Sequence, residues 1–135
     1  MADASRGPRP RPLSPSVGIW RWHVTMAASI AHRATGAALY GGALIMMLFA
    51  LSLASGPDGY TAFKNLLGSI PGKIVLFGLT LSAFYHMANG VRHLTWDAGA
   101  GFEPKTADMT AWVAIGFAVV MSVGVWVLAA MTGAL

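Results

Sequence analysis

Two groups of polar side chains interrupt apolar stretches of the sequence, and the first lies near residue 30. Ser29, His32 and Arg33 are spaced i, i+3 and i+4, so they share one face of a helix. Together they supply hydrogen-bond donors for a polar head group or for a carbonyl-bearing ligand such as a quinone, whose carbonyls are polarised during reduction. The alternative is that His32 and Arg33 reach lipid phosphates and only fix the orientation of the helix. Spacing alone favours this second interpretation.

The second group is centred on His86. Three residues share its face of a helix: Ser82, Gly90 and His93. The small residues one turn to either side leave clearance for a flat macrocycle, and an imidazole is a common ligand of haem iron. We therefore predict that His86 is a haem-iron ligand beside the small haem-facing residues, with Arg92 and His93 near the haem propionates. The alternative is a His86 that hydrogen-bonds to a neighbouring helix.

One imidazole supplies only one axial ligand to such a haem. His32 is predicted to lie too close to the membrane surface to be level with His86, and His23 lies outside the apolar stretches. A closed six-coordinate site therefore requires a ligand from a partner chain. Because no coordination position would remain for oxygen, such a haem would serve electron transfer.

The helices that must position these residues are predicted to span a membrane. The chain has 135 residues, of which 56% are hydrophobic and 10% are charged, against about 25% charged in an ordinary soluble domain. No charged residue occurs in 34–57, 74–91 or 109–135. A spanning helix needs roughly 20 mostly apolar residues. We predict spans over about residues 28–54, 72–95 and 109–132, in an all-α integral membrane fold.

The remaining segments complete this organisation. Residues 1–17 are predicted to be an extended, disordered tail, and residues 18–135 a single transmembrane domain. Apolar side chains between the first two spans recur at helical spacing and predict a short amphipathic helix at the membrane surface; they are Tyr60, Phe63, Leu66 and Leu67. Asp108 is expected to cap the third span.

The distribution of basic residues predicts the orientation. Five arginines precede or begin the first span, whereas the following loop holds only Lys64 and Lys73. The positive-inside rule then places the N-terminus in the cytoplasm and the C-terminus in the periplasm. The absence of a long Arg/Ser-rich presequence favours a bacterial inner membrane, with the mitochondrial inner membrane as the alternative.

Composition excludes several functions. The chain has nine Lys and Arg against five Asp and Glu, a net charge of +4, but it is too apolar for a nucleic-acid-binding protein. It has no cysteine, so an iron–sulfur cluster held by cysteine must lie in another chain. The predicted spans contain no Asp or Glu, which argues against a small drug/proton transporter.

Three segments of the sequence resemble one family: RPLSPSVGIWRW (11–22), TMAASIAHRATG (25–36) and HMANGVRHLTWD (86–97). Their S-I-x-H-R and H-x-x-x-G-x-R-H motifs are similar to those of the cytochrome b subunits of succinate dehydrogenase, the larger membrane anchors of respiratory complex II. The similarity covers residues 11–97, and the third span matches only in character. It is strongest to the alphaproteobacterial and mitochondrial branch.

The resemblance implies a role for each polar group. His86 would be the axial ligand of a haem b whose second histidine comes from a smaller anchor subunit, which completes the helical bundle. Ser29 and Arg33 match positions at the ubiquinone site, with His32 beside them, and Arg33 and His93 match positions near the propionates. A flavoprotein subunit would oxidise succinate, and an iron–sulfur subunit would pass electrons to ubiquinone.

Two alternative functions remain open at this point. The chain could be the anchor of a fumarate reductase, which runs the same chemistry in reverse with a low-potential quinol. It could also be a structural membrane anchor that holds no haem.

Overall fold

The computed structural model describes residues 21–133, which form four α-helices joined by short turns. The helices are α1 (Val24–Ala54), α2 (Pro57–Gly68), α3 (Ile70–Asp97) and α4 (Pro104–Met131). No β-strand occurs within this part of the chain. The predicted all-α class is therefore confirmed, while the predicted tail over residues 1–17 lies outside the described residues.

Three of the helices are long and apolar enough to cross a membrane, as predicted: α1, α3 and α4. They contain 31, 28 and 28 residues, which corresponds to roughly 42–47 Å of helix against a hydrocarbon core of about 30 Å. Each begins before its predicted span, at Val24, Ile70 and Pro104. Each of these helices is therefore longer than the hydrocarbon core is thick.

The start of α4 differs from the prediction for Asp108. Glu103 occupies the N-cap position, and Pro104 opens the helix. Proline suits this position because its fixed φ is already helical and its missing N–H would be unpaired there. Asp108 consequently lies in the second turn of α4 and does not cap it; its carboxylate contacts His23 instead.

The amphipathic helix predicted between the first two spans is confirmed as α2. Gly56 turns the chain from α1 into α2 with a φ of +93°, a conformation that glycine adopts without steric cost. Ser69 lies between α2 and α3. It caps the start of α3, because its hydroxyl accepts a hydrogen bond from the backbone N–H of Gly72 at 3.3 Å. A Cβ at Gly72 would lie 2.5 Å from backbone oxygens of α2. This turn is therefore too tight for any larger residue.

Helices α1 and α3 pack antiparallel. The Tyr85 hydroxyl donates a buried hydrogen bond to the carbonyl of Ala28 at 3.0 Å. Further along, Gly42 of α1 faces the side chain of Leu79. The first residues of α1 therefore lie beside the last residues of α3.

Helix α4 returns antiparallel to α3 and also contacts α1. Phe84 packs edge-on against Phe117 with ring centroids 6.2 Å apart, and Phe77 packs against Trp126 at 5.4 Å. The start of α1, the end of α3 and the start of α4 thus meet at one end of the bundle. We call this the histidine end and the opposite one the α2 end.

One face of α4 is built of small residues that allow close approach to its neighbours. Its buried members are Ala111, Ala114, Ala118 and Ser122. The Ser122 hydroxyl, which is fully buried, donates to the Ala118 carbonyl at 2.7 Å, so it introduces no unpaired polar group.

Most large apolar side chains lie outside this small core. Only 6% of the most apolar part of α1 is buried within the chain, and 17% of that of α3 and of α4. An apolar surface of this extent indicates lipid or a partner chain around the helices.

Candidate functional site

Three histidines meet between α1 and α3. The rings of His32 and His86 are stacked, with centroids 4.0 Å apart and an interplanar angle of 14°. The ring of His93 lies 5.1 Å from that of His32. The prediction that no second histidine lies level with His86 is therefore wrong. It failed because α1 begins at Val24, four residues before the predicted span, which places His32 more than two turns inside the helix.

The backbone of α1 fixes the protonation of His86. Its Nδ1 lies 3.2 Å from the carbonyl oxygen of His32 and 3.4 Å from the hydroxyl of Thr35. A carbonyl oxygen can only accept, so Nδ1 must carry the proton and donate it. The Thr35 hydroxyl already donates to the carbonyls of Ala31 and His32. In the neutral form of the ring, this contact leaves the lone pair of His86 on Nε2.

Glycine and serine leave space around the His86 ring. A Cβ at Gly36 would lie 3.1 Å from Cε1 of His86, so only glycine lets the ring take its observed position. A Cβ at Gly90, one turn along α3, would meet no atom within 4 Å. Ser82, one turn in the other direction, is half-buried. Open space on this face of α3 is thus present at Gly90.

The surroundings of His86 suit a histidine that ligates haem iron, but this chain alone does not supply a complete metal site. Within residues 21–133, no group of three or more His, Asp or Glu is arranged to hold a metal ion. The rings of His32 and His86 are stacked face to face, so they cannot both ligate one haem iron. A neutral imidazole with a lone pair on Nε2, and with space beside it, is the donor that a haem requires.

His32 also carries a buried nitrogen without a partner. Its Nδ1 is inaccessible to solvent and has no hydrogen bond to any described residue. Buried polar atoms in native proteins are nearly always paired. This atom therefore indicates that a ligand or another chain completes the site.

Ser29 and Arg33 form the other predicted group. Nη2 of Arg33 donates to Oγ of Ser29 at 3.1 Å across one turn of α1, and the Arg33 side chain is exposed. Within the described residues, the Ser29 hydroxyl donates to no acceptor. The structure thus brings these two side chains together, whereas His32, the third member of the predicted group, turns toward α3.

Arg92 does not join the histidine cluster. It is 6% exposed, and it donates to the Thr110 hydroxyl at 3.1 Å and to the Ala107 carbonyl at 3.0 Å, both on α4. Its guanidinium also lies 4.1 Å from the ring centre of Trp96, a cation–π contact. Arg92 therefore links α3 to α4 and makes no hydrogen bond to any member of the histidine cluster within residues 21–133.

Sequence reasoning missed the buried polar residue Asn89, which lies one turn before Arg92 on the same face of α3. Asn89 is fully buried; its amide donates to the Tyr85 carbonyl, and its oxygen lies 3.5 Å from Nη1 of Arg92. The i, i+4, i+7 spacing of Tyr85, Asn89 and Arg92 was a detectable signal for a buried polar face.

Comparison with known proteins assigns the family. The sequence model described as "Succinate dehydrogenase/Fumarate reductase transmembrane subunit" matches residues 7–125. The succinate dehydrogenase cytochrome b556 subunit of Rickettsia felis is 34% identical over 117 residues, covering 87% of this chain and 91% of that protein. The mitochondrial cytochrome b560 subunits of Sus scrofa and Homo sapiens are 40% and 37% identical, each covering 84% of this chain and 69% of the relative. The chain therefore belongs to the family of succinate dehydrogenase and fumarate reductase transmembrane subunits.

Proposed function

We propose that this chain is a membrane-anchor subunit of succinate:ubiquinone oxidoreductase that ligates a haem b through His86 and forms part of the ubiquinone-reduction site. The observation that carries the proposal is the contact of His86 Nδ1 with the His32 carbonyl, because it directs the lone pair of His86 to Nε2. The cytochrome b names of the relatives agree with a haem-binding role.

The haem site proposed here is shared between two chains. A haem b, when bound, would supply a one-electron redox centre near the quinone site. Since His32 packs against the face of His86, the second histidine that holds the haem would come from a second, smaller anchor subunit. His93 and Arg33 would lie near the propionates. We leave Arg92 out of the site because its guanidinium is hydrogen-bonded to α4.

Ser29 and Arg33 would bind the quinone. Arg33 donates to Ser29, which orients the hydroxyl so that its proton can be given to a quinone carbonyl. The guanidinium adds a fixed positive charge beside the same oxygen, where negative charge develops on reduction. His32 lies one turn away and would border this site from inside the bundle, because its ring stacks on His86 of α3.

The chemistry of succinate would be carried out elsewhere in the complex. A flavoprotein subunit would oxidise succinate, and a cysteine-rich iron–sulfur subunit would deliver the electrons at the histidine end. We place this end at the cytoplasmic face of a bacterial inner membrane, or at the corresponding face of a mitochondrial inner membrane. Both polar groups lie at that end, which keeps the path for electrons short.

The family description also names fumarate reductase. An anchor of that enzyme would take electrons from a low-potential quinol. Comparison of the turnover rates of the purified complex with ubiquinone and with menaquinol distinguishes the two directions.

The test is the reduced-minus-oxidised optical spectrum of the purified complex. We expect the wild-type complex to show a b-type band and the His86→Ala complex to lack it. His32→Ala is the matched control, because it removes the stacked ring but keeps the backbone carbonyl that accepts from His86; it should retain the band. Succinate oxidation with a soluble artificial acceptor checks assembly of every variant. A b-type band unchanged by His86→Ala would refute the proposal.

A further inference from the structure

A groove of about 580 Å³ lies at the α2 end, away from the histidine cluster. It is formed where α2 lies across the ends of α1 and α3. Its apolar wall contains Phe49 of α1, Phe63 of α2 and Leu76 of α3. Phe49 contacts both Phe63 and Tyr60, with ring centroids 6.0 and 6.4 Å apart. Aromatic side chains thus pack α1 against α2, and Leu76 adds α3 to the wall.

Two lysines give the same groove a positive charge. Lys64 of α2 and Lys73 of α3 both line it. Within residues 21–133, neither lysine has an ion-pair partner. Asp58, the one acidic residue of α2, is not part of the lining. Two uncompensated positive charges beside an apolar wall therefore call for a ligand with one anionic part and one apolar part.

The position of α2 identifies the class of that ligand. An amphipathic helix next to the end of a spanning helix lies at the level of the lipid head groups. Anionic lipid attracts basic residues at this level by about 1 kcal/mol for each Lys or Arg. A free phosphate would leave the aromatic wall without an apolar partner, and a lipid without net charge would leave the charges of the two lysines unbalanced.

We propose that this groove binds an anionic phospholipid, with its phosphate at Lys64 and Lys73 and its acyl chains against Phe49, Phe63 and Leu76. The lipid would tie α2 to the ends of α1 and α3. This inference does not depend on the haem or quinone assignments, because it rests on residues of the opposite end of the bundle.

The experiment is native mass spectrometry of the complete complex, purified in mild detergent, delipidated and titrated with lipid. Phosphatidylglycerol and phosphatidylcholine with identical acyl chains are compared. We expect phosphatidylglycerol to bind about 10- to 30-fold more tightly, from two lysines at about 1 kcal/mol each. The double variant Lys64→Gln, Lys73→Gln should bind both lipids equally.

Two further variants and one competitor separate this site from general charge effects. Lys105→Gln removes the same charge from an exposed lysine at the histidine end and should leave lipid binding unchanged. Phe63→Ser should weaken binding of both lipids, and inorganic phosphate should not displace phosphatidylglycerol. The proposal is overturned if the double variant keeps its preference for phosphatidylglycerol, if Lys105→Gln abolishes that preference, or if phosphate displaces the lipid.

Discussion

The carbonyl of His32 accepts a hydrogen bond from the ring of His86, and the side chain of the same His32 stacks on that ring at 4.0 Å. One residue of α1 therefore selects which ring nitrogen of a histidine on α3 donates, and it also packs against the face of that ring. A metal ligand usually obtains its orientation from such a partner on its second nitrogen. The contact also explains why α1 and α3 must keep a fixed separation at this level.

Replacement of Gly36 by alanine should disturb His86 directly. The new Cβ would lie 3.1 Å from Cε1, so the ring must shift by a few tenths of an ångström. We expect a shifted haem absorption band or a reduced haem content in Gly36→Ala. Gly41→Ala is the matched control on the same helix, because its Cβ would meet nothing within 4 Å. Identical spectra for the two variants would show that Gly36 does not limit the position of the ring.

Loss of Arg33 should impair the reaction with quinone and spare the reaction with succinate. A hydrogen bond from a charged donor contributes about 1.5–3 kcal/mol, so Arg33→Leu should lower kcat/KM for ubiquinone roughly tenfold to a hundredfold. Ser29→Ala should have a smaller effect in the same direction. Succinate oxidation by a soluble artificial acceptor should stay at the wild-type rate. Equal loss of both activities would instead mean that the complex fails to assemble.

Arg92 and its neighbour His93 should have separable effects. Arg92→Met removes the Arg92 donor from the oxygen of the fully buried Asn89, and an unpaired buried acceptor costs about 1–3 kcal/mol. We expect a lower Tm of the complex with an unchanged haem potential. His93→Ala should give the opposite result, a shifted potential with haem retained. If Arg92→Met shifted the haem potential without lowering the Tm, Arg92 would instead belong to the haem site.

The small-residue face of α4 should not tolerate a large side chain. Ala118 is 1% exposed, and overpacking of a filled site costs about 1–3 kcal/mol. Ala118→Leu should therefore lower the Tm of the purified complex. Val120→Leu, at a position 69% exposed, should leave it unchanged. A similar loss in both variants would point to an interface with a partner chain at Val120.

The proposed orientation can be tested with single cysteines, because the chain has none of its own. Ala100→Cys lies at the histidine end, and Thr132→Cys follows α4 at the other end. In intact bacterial cells, a membrane-impermeant maleimide should label residue 132 and not residue 100. Labelling of residue 100 alone would reverse the orientation.

Charge and hydropathy were sufficient to predict the three long helices, because a spanning segment must exclude charge over about 20 residues. They were not sufficient to predict the level of individual side chains along the bundle. The level of His32 depends on where α1 begins, and apolar periodicity gives no sharp signal for that end. The amphipathic spacing of α2 was recognisable because its apolar residues lie on one face.

The neighbour that each side chain contacts was harder to predict than the position of each helix in the sequence. Consecutive residues of a helix are rotated by about 100°, so Arg92 and His93 project toward different neighbours. Sequence spacing correctly grouped His93 with His86. It could not show that the next helix would provide Thr110 and Ala107 as acceptors for Arg92.

The exposed Ser29–Arg33 pair has a consequence for biogenesis. A guanidinium on the outer face of α1 is costly in hydrocarbon unless another protein covers it. A subunit that has not assembled with its partners would carry that penalty, together with the unpaired buried nitrogen of His32. Cells that overproduce the subunit alone should therefore degrade it, and its lifetime should rise when the rest of the complex is supplied.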